Sequence, residues 1–468
     1  MKLQTVTHAE VRSTKRNIEK FQGILISLLA VGFILLQFFP VPQMEIIISI
    51  IIIGVIVWVM PVIRGVTLVI SSVLLVTGVI IMLYYNIPIQ EWIKSLRINL
   101  TLVAVFLCVP LLGIPVKAGG YVEALKKVLS NKMNKPNFLF LGSKLLTHLL
   151  GVILNIGSVS IVNKLTEASN LKAPRLVANA INRGFVTTIF WSPYFSAMAL
   201  VLSQLPVNWS SIVLYAIGLS MISILVSFMV ERKFLISLSQ SVKIDRTNSK
   251  EIDLRKDKQR VIELFILLTI MMSTVLILEI ATTYSMVLII CLVSIIFPLL
   301  WCIGSGKGSF YTKEFKNHVY HGIPRLKKEI VLFLIAGFFS GAIIQTQFSA
   351  HFITLINSMF GSFTMGITFF LSLIVVLTAI VGIHPIVVIT ILVTSIDPEL
   401  IGFSPEYFSI LLLASWGISN VISPATAVSN ILANLLNSNI LDVSIRWNWK
   451  FVLIMLFVLP IYLMFIGV

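Results

Sequence analysis

The sequence predicts an all-α polytopic membrane protein. Its expected form is an inverted-topology repeat of about 11 transmembrane helices, with two re-entrant hairpins and two broken helices. Three observations carry this. Hydrophobic residues fill 57% of the 468 positions and charged residues only 12%, where a soluble domain carries about a quarter charged residues. Many segments exceed the roughly 20 apolar residues that span a bilayer. Two Ser-Pro pairs, Ser192-Pro193 and Ser423-Pro424, interrupt such segments almost half a chain apart.

The net charge of +16 does not point to nucleic acid. The basic residues sit in loops between apolar spans, where positive charge sets orientation. The three cysteines, Cys108, Cys291 and Cys302, fall in or beside apolar spans and offer neither a disulfide framework nor metal-ligand spacing. The first apolar segment, 22–39, has basic residues before it but no small-residue cleavage site after it, and reads as a retained helix.

Taken in order, spans are expected at 22–39, 44–60, 66–85, 98–115, 174–203, 208–230, 261–280, 284–304, 330–348, 405–436 and 446–467. Segments 138–169 and 363–396 carry polar or Gly/Pro breaks, "LNIGSVS" and "IVGIHPI", and read as hairpins. Charge supports this count. With both hairpins re-entrant, the basic stretches 117–135, 231–260 and 307–328 all fall inside, along with the N-terminal tail. Segments 204–207, 281–283, 349–362 and 397–404, which hold no Lys or Arg, fall outside, and of the basic residues only Lys94 and Arg97 join them there. The expected location is a bacterial cytoplasmic membrane, with the N terminus inside and the C terminus outside.

The domain plan follows. Residues 1–43 form a tail and first span, and 44–230 form the first repeat, with hairpin 138–169 and broken helix 174–203. Residues 231–260 are a charged linker. Residues 261–468 form the second repeat, with hairpin 363–396 and broken helix 405–436. Each repeat also holds an amphipathic connector, 121–133 or 351–360, suited to the membrane interface. Inverted repeats place their site at the repeat interface.

In these features the chain resembles the ion transporter superfamily, which includes divalent-anion/sodium symporters and arsenite-type permeases. The resemblance covers nearly the whole chain and rests on the opposed hairpins, broken helices and connectors. It implies a homodimer that moves a transport domain past a scaffold. The dicarboxylate branch carries a Ser-Asn-Thr signature in each hairpin. Here the tips read Asn155-Ile156-Gly157-Ser158 and Gly382-Ile383-His384-Pro385, a departure that argues against a dicarboxylate.

Serine is a favoured N-cap and proline a favoured first helical residue. Ser192-Pro193 and Ser423-Pro424 therefore read as starts of new half-helices, and His384-Pro385 as a third. Ser158 is a less clear fourth. Half-helix N-termini present unpaired N–H groups and partial positive charge, which suits an anion. Asn155, Ser158, Ser192, Pro193, His384, Ser423, Pro424 and Thr426 are the expected substrate-binding residues. Oxygens of Gly157, Ser160, Asn420 and Asn430 are the expected coupling-ion ligands. Arg183, about 13 Å from the Ser192 break at 1.5 Å per residue, is expected either to line a vestibule or to snorkel to the interface. Lys144 and His148 lie nearer the end of their arm and read as structural.

No carboxylate lies at a predicted midplane, which weakens an acid-based H⁺ antiporter. Na⁺ through neutral oxygens, or H⁺ through His384, remains as the coupling ion, with no other cofactor. "GSGKGSF" (Gly304–Phe310) lacks the glycine and βα unit of a phosphate loop, and neither H-E-x-x-H nor paired aspartates argue for an enzyme. The leading expectation is a secondary active transporter of a small anion in a lipid bilayer. The alternative is a translocase for a polyprenyl-phosphate carrier.

Overall fold

The computed structural model describes residues 2–129, 132–167, 169–241 and 254–467, with side chains from residue 17 onward. The middle of the charged linker, 242–253, therefore lies outside the described residues, as do the side chains of the tail cations before residue 17. The described residues form helices and no strands. Among the described residues ten helices are long and apolar enough to cross a membrane, or eleven counting the bent pair Lys327–Ile344 and Phe348–Phe360. The membership of this set differs from the expected spans. It includes Pro136–Leu154, one arm of the first hairpin, and leaves out the first broken helix, whose pieces are 16 and 9 residues long.

Two compact units form, and neither follows the sequence halves. One comprises residues 1–114 and 294–349, the other residues 115–293 and 350–468. Each thus takes a segment from both repeats.

In the first unit, Lys327–Ile344 packs on Val66–Tyr84, on the short helix Ile89–Leu96 and on Leu100–Cys108. Small residues let these helices approach: a Cβ on Gly341 would collide with the Ser95 side chain, and one on Gly337 would meet Asn99 at 3.0 Å. Asn99 Nδ2 donates to the Phe333 carbonyl at 2.8 Å, which ties the pair by a polar contact in an apolar setting. Val66–Tyr84 shows the opposite face. Val69, Val73, Val76, Ile80 and Leu83 are exposed at helical spacing, an apolar stripe of the kind that lipid covers. Ile89–Leu96 was not anticipated from the sequence. It is eight residues long, and Arg97, just after it, pairs with Glu45 at 2.8 Å.

The second unit holds both hairpins and both broken helices. The first hairpin has an outgoing arm, Pro136–Leu154, and a return arm, Gly157–Thr166. The second has Thr364–Ile380 and Pro385–Ser395. The first broken helix has a leading half, Pro174–Ile189, and a trailing half, Ser196–Gln204. The second has Pro405–Ile422 and Ala427–Leu435. Each outgoing arm packs on the leading half that follows it, and the two leading halves pack on one another. The first return arm packs on the second trailing half, and the second return arm on the first trailing half. Trp209–Ser241 holds the first hairpin and first broken helix as Trp449–Ile466 holds the second pair. Exchanging the repeats maps this set of contacts onto itself. Because each half buries its return arm against the other half's trailing helix, neither repeat completes the packing alone.

The feet of each hairpin are tied together. At the first, Ser169 Oγ donates to the Met133 carbonyl at 2.8 Å and the Asn170 N–H to Asn134 Oδ1 at 2.9 Å. At the second, Asn357 Nδ2 donates to the Leu400 carbonyl at 3.1 Å. These bonds hold the ends of each hairpin side by side, as re-entrance requires.

Candidate functional site

The two Ser-Pro pairs build the same turn. Each serine N–H closes the last helical bond of its leading half, Ser192 to the Thr188 carbonyl at 2.9 Å and Ser423 to the Ser419 carbonyl at 3.1 Å. The proline that follows has no N–H with which to continue the helix. The serine hydroxyl then accepts the N–H two residues on, from Tyr194 at 3.3 Å and from Ala425 at 3.2 Å. In the first turn the Phe195 N–H closes onto the Ser192 carbonyl at 3.3 Å, which puts Pro193 in the second position of a four-residue turn, where its fixed φ is favoured. The trailing halves begin only at Ser196 and Ala427.

This corrects the expected capping role. Ser192 and Ser423 end helices rather than start them, and Pro193 and Pro424 are turn residues rather than first helical residues. The cap of the second trailing half is Thr426, whose hydroxyl accepts the Ser429 N–H at 3.4 Å. The first trailing half has Phe195 in that place, with no side-chain cap. His384 does cap its arm as expected. Its Nδ1 accepts the Ile386 N–H at 3.3 Å, with Pro385 in the first turn.

The first hairpin tip meets the first turn. Ser192 Oγ donates to the Val152 carbonyl at 3.3 Å. A Cβ on Gly151 would stand 3.2 Å from Thr188 and 3.6 Å from the Ser158 hydroxyl, so Ser158, Thr188 and Ser192 gather around the tip. Asn155 turns the chain there with φ +49°, a left-handed conformation asparagine tolerates. Its side-chain oxygen accepts the Ile156 N–H at 2.8 Å, and its carbonyl accepts the Ser158 hydroxyl at 2.7 Å. Ser158 thus braces the tip rather than capping a helix. Gly157 is exposed at the tip and Ser160 is half-buried on the return arm.

A second polar cluster surrounds Thr426. Its hydroxyl lies 3.0 Å from Ser429 Oγ, 3.3 Å from the Ser423 carbonyl and 3.5 Å from the Asn420 carbonyl. Asn430 Nδ2 donates to the carbonyls of Pro424 at 3.2 Å and Thr426 at 2.9 Å. Asn420 Nδ2 turns back to the Trp416 carbonyl at 3.0 Å. Thr188, Gly151 and Ser429 were not singled out from the sequence. A register one turn from each Ser-Pro pair marks Thr188 and Ser419 in retrospect. The broken helices are joined by Asn182, whose Nδ2 donates to the Val421 carbonyl at 3.1 Å.

Arg183 neither lines a vestibule nor snorkels. It is fully buried. Its Nε donates to Asn448 Oδ1 at 2.8 Å, Nη1 to Ser227 Oγ at 3.4 Å, and Nη2 to Glu231 Oε1 at 3.0 Å and the Trp447 carbonyl at 2.9 Å. Glu231, expected in the linker, is also fully buried, because Trp209–Ser241 runs well past the predicted end of its span. It also takes Asn179 at 2.8 Å and the half-exposed Arg175 at 3.2 Å. Lys144 and His148 are buried as well. Among the described residues no group of three or more His, Cys, Asp or Glu side chains is placed to hold a metal.

No family model matches the chain, and no curated protein matches it. Among solved structures, the YdaH transporter of Alcanivorax borkumensis, whose crystal structure is described as revealing an unusual topology, is similar. The two share 13% sequence identity at a TM-score of 0.56, over 86% of this chain and 98% of that one. The likeness is one of fold.

Proposed function

We propose that the protein is a secondary active transporter of a small anion, an organic acid or oxyanion, driven by a cation gradient. The observation that supports it is the Ser-Pro turn built twice, each at a break in a helix and each at the matching point of a packing pattern that maps onto itself when the repeats are exchanged. Irregular backbone at membrane depth is tolerated where it is buried in protein or lines an aqueous cavity, and discontinuous helices are where transporters place substrate and coupling ions. The trailing halves and return arms offer helix N-termini toward an anion. The oxygens around Thr426 are the natural place for Na⁺, which hard oxygen ligands suit. Membership of the ion transporter superfamily, a homodimeric state and elevator-type movement belong to the same proposal.

The test is uptake of anions by proteoliposomes, with and without a Na⁺ gradient, for the native protein and for Ser192→Ala and Ser423→Ala. Each substitution removes the acceptor of one turn N–H. A lost hydrogen bond of about 1–1.5 kcal/mol corresponds to roughly a five- to tenfold loss of apparent affinity, with the protein still folded by gel filtration. Unchanged uptake in both variants would overturn the assignment of the site.

A further inference from the structure

Two cations meet inside the second unit at one aromatic ring. The Phe451 ring lies 4.8 Å from the Arg183 guanidinium carbon and 5.7 Å from Lys144 Nζ. Both side chains are fully buried, but they are not held alike. Arg183 has four acceptors, one of them the Glu231 carboxylate. Lys144 Nζ has the Ser223 carbonyl at 3.3 Å and the ring. Among the described residues no carboxylate lies within ion-pair distance of it. Ionisable groups at membrane depth pair with one another or mark ion and proton pathways. Arginine keeps its charge, whereas lysine exists as ammonium or as amine.

The surroundings of Lys144 are fully specified. Its own arm contributes His148, one turn nearer the tip. The leading half packed on it contributes Arg183. The helix Trp209–Ser241 contributes Glu231, already committed to Arg183 and Arg175. From Trp449–Ile466 comes Phe451, with Lys450 exposed. On the return arm Lys164 is exposed, as is Glu167 beyond it. A string of exchangeable groups continues toward the tip. His148 Nδ1 and Thr187 Oγ1 are 2.9 Å apart, and Thr188 follows, against Gly151 and Ser158. The second repeat has no counterpart. At the equivalent helix contact Ser415 Oγ donates to Ser372 Oγ at 3.0 Å and Tyr407 OH lies 2.7 Å from Thr368 Oγ1, so among the described residues a buried lysine belongs to the first repeat alone.

We propose that Lys144 is a proton-binding site of the transport cycle. Its amine takes a proton from water on one side of the membrane to become ammonium, and returns that proton to water on the other side. This rests on the transporter reading above and adds H⁺ to the cations that drive it. The competing role, a fixed ammonium that merely anchors Phe451, makes a different prediction.

The test needs no substrate. Ala425, exposed in the second Ser-Pro turn, is changed to Cys in a chain whose three cysteines are buried. Labelling of this cysteine by a membrane-impermeant maleimide is followed in proteoliposomes between about pH 6 and pH 9, and at each pH it is divided by the labelling of a cysteine placed at the exposed position Ser362, which removes the titration of the thiol itself at about 8.5 and leaves a range that the exposed lysines do not titrate in. With Lys144 present, labelling changes severalfold across the range. Lys144→Arg fixes it at the low-pH level and Lys144→Met at the high-pH level. Labelling that is flat in the Lys144 protein, or pH dependence that persists in both variants, overturns the proposal. If Lys144→Met fails to fold, Lys144→Arg alone decides. The anion reading fails independently, on the uptake of Ser192 and Ser423 variants.

Discussion

Glu231 shows how much one side chain organises. Its carboxylate accepts from Arg183, Arg175 and Asn179, and so joins the first broken helix to Trp209–Ser241. Removing one partner of a buried ion pair strands the other charge and costs about 3–5 kcal/mol, whereas a partly exposed pair is worth about 0–1 kcal/mol. Glu231→Gln is therefore expected to lower the unfolding temperature in detergent sharply. Arg175→Gln, which removes the partner at 39% exposure, is expected to shift it slightly. Equal shifts would mean that the neutral acceptors Arg183 already has, Asn448, Ser227 and the Trp447 carbonyl, are enough to hold its charge. None of this was legible in the sequence. Glu231 is followed by Arg232 and Lys233 and reads locally as linker. Its burial depends on an arginine 48 positions away, and no local pattern encodes that.

Helices and their breaks were far more legible, because apolar runs and proline act locally. The hairpin arms, broken helices and connectors fall close to their predicted places. What failed was the finer assignment at Ser192 and Ser423. Serine before proline suits a helix start and a turn equally well by propensity. The choice was made by the serine N–H, which completes the preceding helix and leaves proline in the turn. Close helix contact was also invisible, yet it sets a clear experiment. A Cβ on Gly184 would stand 2.5 Å from the Lys144 carbonyl oxygen and 3.1 Å from its Cα, all backbone. A Cβ on Gly417 would press chiefly on the Phe190 ring, a side chain rather than backbone, with the Val186 carbonyl at 3.1 Å. Overpacking costs about 1–3 kcal/mol. Gly184→Ala should approach the upper figure, by separating the first outgoing arm from its leading half, and Gly417→Ala the lower. Thermal unfolding of the two variants side by side reads the difference, and a reversed order would show that the Phe190 ring has no free rotamer.

For the molecule as a whole, the decisive question is whether the hairpins return to the face they leave. Length does not decide it, since the outgoing arm Pro136–Leu154 is by itself long and apolar enough to cross. The bonds at the feet do. Met133 and Asn134 are bound to Ser169 and Asn170, and Asn357 to the Leu400 carbonyl, so each hairpin begins and ends at one place. Charge predicts the faces. The stretch before the first hairpin is rich in lysine, while 349–362 and 397–404 around the second hold no Lys or Arg, and positive loops stay inside. Single cysteines at the exposed positions Lys135 and Lys172 should therefore be shielded from an impermeant maleimide added to intact cells. Cysteines at the exposed positions Ser362 and Glu399 should label readily. All four should react once the membrane is opened. A split within either pair would make that hairpin a full crossing. In the second pair it would also reverse the second broken helix relative to the first, so that the two Ser-Pro turns no longer lie on helices of opposite direction.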